Sequence, residues 1–408
     1  MVIESLSLEG RLLFAARATR TFAFGWLSVV LALSLASRGL SSAQIGLVFT
    51  ATMVEDALLT MLLSSLATRI GPARIMAWTA PLITVGGILL AVADRPLFLI
   101  AGAVLGTLSP NGQEAGPFSP MEQSILPDTV PPSARNRAFS WYDVFGFLPA
   151  ALGSLAAGAW LRSAQLLGLG DPAAYRVMSW AYAAAGIVLC LLYARLSASR
   201  GAEAAPRPEK SVTPMSSGRH PSRRIILELS ALQGLDALAG GFIMQSLLAY
   251  WFHLRFGVAP EALGALFFGT NLLSALSFLA ASRVADRVGL LNTMVFTHLP
   301  SNVLLLAVPF MPSFPLAAAV LLARHVLSQM DVPTRQAYTM ALVAPEERPL
   351  AAGLASSVRA LAQSLAPALS GLFMATAAVG LPFFIAGGLK IVYDLGLYAR
   401  FRGVPLRS

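Results

Sequence analysis

The chain has 408 residues, of which 56% are hydrophobic and only 12% charged, against roughly half apolar and about a quarter charged in a water-soluble domain. A soluble enzyme is excluded, and apolar residues spread along the whole chain predict many membrane spans joined by short polar loops. The net charge of +9 falls mostly between apolar runs, so it reports topology, and nucleic acid is not an expected partner.

The first residues, MVIESLSLEGRLLF, place Glu4 and Glu9 ahead of Arg11 with no short apolar core before a small-residue cleavage site, so no cleaved leader is expected. Crossing about 30 Å of hydrocarbon takes roughly 20 apolar residues in a helix. Runs of that kind cover 13–37, 43–67, 73–93, 96–124, 138–160, 174–196, 225–252, 260–282, 290–311, 314–340, 350–377 and 380–400. The fold class is therefore an all-α integral membrane protein with twelve transmembrane helices. The fourth run contains Pro110, Gly112, Pro117 and Pro120, and the tenth contains Pro333. Both are expected to be kinked or unwound, which a bilayer tolerates only where protein or a water-lined cavity satisfies the freed backbone groups.

Between the sixth and seventh runs, residues 197–222 are rich in Ser, Pro, Ala and charge without apolar periodicity. They read as a flexible cytoplasmic linker separating an N-terminal six-helix bundle, 1–196, from a C-terminal one, 223–408. The halves repeat: at one constant spacing Pro120 matches Pro333, Gln123 matches Gln336, Pro132 matches Pro345, Arg135 matches Arg348 and Gly158 matches Gly371. With both termini in the cytoplasm, only Arg38, Arg95, Arg162 and Arg255 lie in outer loops, the bias that sets orientation. Lys210 and Lys390 are the two lysines among 29 basic residues. This arginine preference hints at a GC-rich bacterial genome, hence the bacterial cytoplasmic (inner) membrane.

The loop after the second run reads SSLATRIGPAR, and the loop after the eighth reads ASRVADRVGLL. The second resembles the loop signature of the major facilitator superfamily through Ser282, Asp286, Arg287 and Gly289; the first retains Ser64, Arg69 and Gly71, with Thr68 in place of the acid. The resemblance implies two pseudo-symmetric six-helix bundles in a secondary transporter, with spans one, four, seven and ten lining a central cavity. It implies that Arg69, Asp286 and Arg287 act at a cytoplasmic gate. Anchoring of the arginines at anionic headgroups is the alternative.

Each ionisable group within a span needs a partner or a task, because a buried charge costs about 2.5–3.5 kcal/mol on insertion scales. A layer nearer the cytoplasm holds Arg17, Arg20, Glu122, Asp143, Asp331, Arg335 and Arg359. Glu122 and Arg335 occupy matching positions in the repeat and are candidate partners across an inner gate. A permanent network inside each bundle is the alternative. A deeper layer holds the substrate and proton candidates Glu55, Asp56, Asn111, Glu114, Asp236, Arg324 and His325. Of these, the resemblance places Glu114, Asp236 and Arg324 toward the cavity. Arg324, Ser328, Asp331 and Arg335 share one helical face.

The expected activity is secondary transport of a small organic solute with protons as the coupling ion, by proton-driven export as in the superfamily's drug/proton antiporters. The second reading is a carrier for carboxylate- or phosphate-bearing metabolites, held by Arg20, Arg324 or Arg359. No HExxH, GxSxG or GxxxxGK[ST] pattern occurs, so neither an enzyme nor a cofactor is expected. Cys190 is alone, and His298 and His325 lie on different spans in no coordination pattern, so no metal site is expected either.

Overall fold

The computed structural model describes residues 6–93, 95–113, 116–131, 134–200, 222–344, 347–376 and 378–404, and among them all regular structure is helical. The first expected span is α1 (Leu8–Ser28) with α2 (Leu31–Ser37), bent by 44°. The second and third are α3 (Ser42–Ile70) and α4 (Pro72–Val92); the fourth is split into α5 (Pro96–Leu105) and α6 (Phe118–Ile125). The fifth and sixth are α7 (Arg135–Leu166) and α8 (Asp171–Arg200), and the seventh is α9 (Arg223–Phe242) followed by α10 (Gln245–Phe256). The rest are α11 (Pro260–Val288), α12 (Leu290–Ala307), the pair α13 (Phe314–Leu327) and α14 (Asp331–Leu342), α15 (Arg348–Met374) and α16 (Leu381–Phe401).

Among the described residues eight helices are long and apolar enough to cross a bilayer, and α1 with α2 makes a ninth. The remaining three expected spans fall short for visible reasons. The fourth and tenth are broken into short pieces, and α15 carries Ser356, Ser357, Arg359, Gln363 and Ser364 along its length.

Local chemistry sets the helix ends. Ser7 caps α1 by accepting from the Gly10 amide, and Ser41 and Gln44 form a reciprocal capping box at the start of α3. The two loop signatures fold alike. Gly71 (φ +99°) follows α3 and Gly289 (φ +87°) follows α11, each donating its amide to a carbonyl four residues back, 2.9 Å away. An L side chain rarely adopts this backbone, so glycine is required at both turns.

The chain forms two compact units, Met1–Pro208 with Gln245–Phe268, and Glu209–Met244 with Gly269–Ser408. Sequence divides the chain once, at the linker, of which 201–221 lie outside the described residues. The compact units instead assign α10 and the start of α11 to the first unit. In that unit α1 packs on α7 and α4 on α8. A Cβ on Gly25 would lie 2.1 Å from the Ala150 carbonyl oxygen, and one on Gly153 would lie 2.1 Å from that of Phe22, so these backbones touch. In the second unit the corresponding helices, α9 on α15 and α12 on α16, repeat the arrangement.

Candidate functional site

In the first unit, α1, α6, α7 and α8 bring one closed polar cluster into the apolar core. Arg20 and Glu122, both fully buried, form a bidentate pair at 2.8 and 2.9 Å. The Glu122 carboxylate also accepts from the hydroxyls of Tyr142 (2.5 Å) and Tyr193 (2.6 Å). Arg17 lies beside it, its Nε donating to the Tyr142 carbonyl oxygen at 2.6 Å and its guanidinium 3.7 Å from the Tyr142 ring centre. With four hydrogen bonds donated to the Glu122 carboxylate, two charges are tolerated away from water.

Spans one and four break within this same unit, and the start of α10, which the unit also contains, is bonded to both breaks. The hydroxyl of Tyr182 serves the Gly106 and Thr107 carbonyls freed where α5 ends. The Ser246 amide donates to the Pro110 carbonyl oxygen at 2.9 Å, the Ser246 hydroxyl to the Ser28 carbonyl oxygen at 2.8 Å, and Gln245 Nε2 to the Ser28 hydroxyl at 2.7 Å. Asp56, midway along α3, accepts from the Gly116 amide just before α6, and from the Thr60 hydroxyl at 3.4 Å. Its neighbour Glu55 is half-buried, and its Oε2 has no hydrogen-bond partner among the described residues. Asn111 lies half-buried in the break between α5 and α6, whereas Glu114 lies outside the described residues.

In the second unit the centre is Asp236 on α9. Its Oδ1 meets Lys390 Nζ of α16 at 2.5 Å; its Oδ2 meets Arg335 of α14 at 3.1 Å and Arg359 of α15 at 3.2 Å. Arg335 also reaches Asp331, one turn earlier, at 2.8 Å. On the other side His298 of α12 stands 3.9 Å from Asp236 and 2.8 Å from Asp394, whose second oxygen accepts from Asn302 at 2.9 Å. Glu122 and Arg335, matched in the repeat, thus each have an ion partner inside their own unit, on its first long helix. The signs are reversed between units: Arg20 with Glu122 in the first, Asp236 with Arg335 in the second.

Arg324 differs from these cations. It sits in the last turn of α13, only 7% exposed, with no hydrogen-bond partner for Nε among the described residues. The next residue, His325, turns its Nδ1 to the Leu321 carbonyl oxygen at 2.7 Å. Arg69, Asp286 and Arg287 are exposed at the helix ends beside the two glycine turns, and Asp143 is half-buried in α7.

Sequence reasoning passed over Lys390, Asp394, Asn302, Tyr142 and Tyr193, and treated His298 only as a weak metal ligand. Lys390 and Asp394 gave a usable signal, since two charges one helical turn apart inside an apolar run need partners. The sequence flagged breaks in spans four and ten; the structure adds spans one and seven, so the breaks recur at corresponding places of the two halves. Such interrupted helices are where transporters of this construction bind solute.

The sequence profile of the Major Facilitator Superfamily matches residues 13–323. An uncharacterized membrane protein of Saccharomyces cerevisiae (strain ATCC 204508 / S288c), YJR124C, is 24% identical over 428 residues, 98% of this chain and 96% of the yeast protein. Among solved structures, the nucleoside transporter NupG is similar at a TM-score of 0.71 and 13% identity, over 97% of this chain and 100% of that one. The D-xylose-proton symporter is similar at 0.71 and 13%, over 97% and 98%. The human organic anion transporter MFSD10 (TETRAN) is similar at 0.66 and 17%, over 96% and 100%. At these identities the structures establish a shared fold.

Proposed function

The chain belongs to the major facilitator superfamily and is a multi-pass membrane protein, a secondary transporter of a small molecule rather than an enzyme; from that premise we propose that it exports a small organic solute in exchange for protons. Its twelve spans rock as two bundles about the broken helices, with both termini in the cytoplasm of a bacterial cell and the protein in the cytoplasmic membrane.

The observation that carries proton coupling is Glu55. Its Oε2 is shielded from solvent and takes no hydrogen bond among the described residues, and the carboxylate beside it, Asp56, is engaged by the Gly116 amide. Two adjacent carboxyl groups in a poorly solvated site resist simultaneous ionisation, so one takes a proton and releases it when water reaches it. Asp236 is a poor proton carrier by comparison, because Lys390, Arg335 and Arg359 all hold it. The driving force is sufficient, since each charge crossing 100 mV is worth about 2.3 kcal/mol.

The test uses full-length protein in liposomes. A pH gradient, acidic outside, should drive solute out against its own gradient in the wild type. Glu55→Gln should lose that uphill movement and keep exchange of labelled for unlabelled solute. Uphill transport surviving in Glu55→Gln would refute Glu55 as the coupling group. Inward accumulation of solute under the same gradient would refute export.

A further inference from the structure

We infer that the break in the tenth span binds the oxyanion of a small organic solute, a carboxylate or a phosphate, on Arg324 and Ser328. This names the solute class of the transporter proposed above and rests on that reading.

The reasoning starts from charge. The buried ionisable groups of the second unit include the carboxylates Asp236, Asp331, Glu347 and Asp394 and the cations Arg324, Arg335 and Lys390, with Arg359 half-buried beside them. Arg335, Arg359 and Lys390 all touch Asp236, whereas Arg324 makes no ion pair among the described residues and its Nε has no acceptor. Asp236 and Asp331 lie near enough to act on its charge, yet both are already engaged by other cations.

A second orphan stands one turn away. Ser328, at the end of α13 and 4% exposed, has a hydroxyl without a partner among the described residues, while its amide closes the helix on the Arg324 carbonyl oxygen at 3.0 Å. Residues four apart share a helix face, so the guanidinium and the hydroxyl project from the same side of the chain where it leaves the helix. Irregular backbone persists at membrane depth where it is buried in protein or lines a cavity. A guanidinium presents its N–H groups as a planar fork that fits a carboxylate or phosphate with two parallel bonds, and a serine hydroxyl can supply a third. An oxyanion would satisfy both orphans.

Purified full-length protein in detergent should be probed by thermal stabilisation and calorimetry with succinate, benzoate, phenyl phosphate, inorganic phosphate, tetraphenylphosphonium and mannitol. At least one organic anion should bind and raise the melting point. Arg324→Gln should weaken it by about 10–100-fold, the range for charge-assisted hydrogen bonds. Arg324→Lys should recover part, and Ser328→Ala should weaken binding severalfold. Unliganded Arg324→Gln should melt no lower than the wild type, because the side chain removed is unsatisfied; a merely structural arginine would give a lower melting point and overturn the assignment. Equal stabilisation of wild type and Arg324→Gln would overturn it too, as would binding confined to tetraphenylphosphonium or mannitol. Binding of inorganic phosphate as tight as that of the organic anions would overturn the assignment to an organic solute. The transporter reading fails separately: anion binding abolished by Arg324→Gln but without flux in liposomes would leave this site standing and refute the function proposed above.

Discussion

Glu122→Leu asks whether the Arg20–Glu122 pair is a fixed part of the first unit. Both side chains are fully buried, so the substitution strands a guanidinium in the core and removes the acceptor of Tyr142 and Tyr193. Breaking a buried pair from one side costs about 3–5 kcal/mol, because the survivor keeps its desolvation penalty. For a cooperative unit of about 150–250 residues each kcal/mol shifts the melting temperature by about 2–4 °C, so a fall of roughly 6–20 °C is expected. Arg20→Met with Glu122→Leu removes both charges and should recover most of the loss. The assay is thermal unfolding in detergent across the two singles and the double, followed by a second cycle of Glu122→Leu with Arg335→Met. Coupling should be large in the first cycle and within about 0.5 kcal/mol of zero in the second. A single variant melting within experimental error of the wild type, or strong coupling between Glu122 and Arg335, would refute the closed pair and restore the cross-gate reading.

Asp236→Asn should destabilise at least as much, since it leaves Lys390, Arg335 and Arg359 without their shared carboxylate; adding Lys390→Met should recover part of the loss in the same melting assay. Gly71→Ala and Gly289→Ala should each cost about 1–3 kcal/mol, the price of a strained backbone. No atom lies within 4 Å of the added Cβ at either turn, so the loss is conformational, and replacing either glycine without a fall in melting temperature would contradict the observed turn geometry.

The spans were legible because hydrocarbon imposes a length and a composition that any stretch of sequence either meets or fails. Two of the four breaks were legible for the same kind of local reason. Pro110, Gly112, Pro117 and Pro120 cannot continue a helix through span four, and Pro333 opens the tenth. The bend after Ser28 has no such marker, for Val29, Val30 and Leu31 follow it. It is fixed from outside, by Gln245 and Ser246 bonding to Ser28 across more than two hundred residues of chain. Ion partners were hidden for that reason too. Arg20 meets Glu122 across 102 residues and Lys390 meets Asp236 across 154. Sequence could name Arg20, Glu122, Asp236, Arg335 and Arg359 as charges in need of partners; only the packing of α1 with α6 and of α9 with α14, α15 and α16 decides which charge meets which.

The reversed signs of the two ion clusters separate residues that hold the fold from residues free to act. Glu122 and Arg335 occupy matching positions, so a shared architecture accepts either sign there, provided the first long helix of the unit supplies the opposite one: Arg20 in one case, Asp236 in the other. A lone change of sign would strand a buried charge at a cost of about 3–5 kcal/mol, so each position is constrained through its partner. Such pairs stiffen each unit from within. Outside these pairs, Glu55 has a buried Oε2 without a donor, and Arg324 Nε and the Ser328 hydroxyl have no hydrogen-bond partner among the described residues. One lies in each unit, and their needs are complementary to the two things a proton-coupled carrier of organic anions must bind. In the transport cycle proposed above, ion pairs closed inside each unit would let that unit move as one body when such a group takes its ligand.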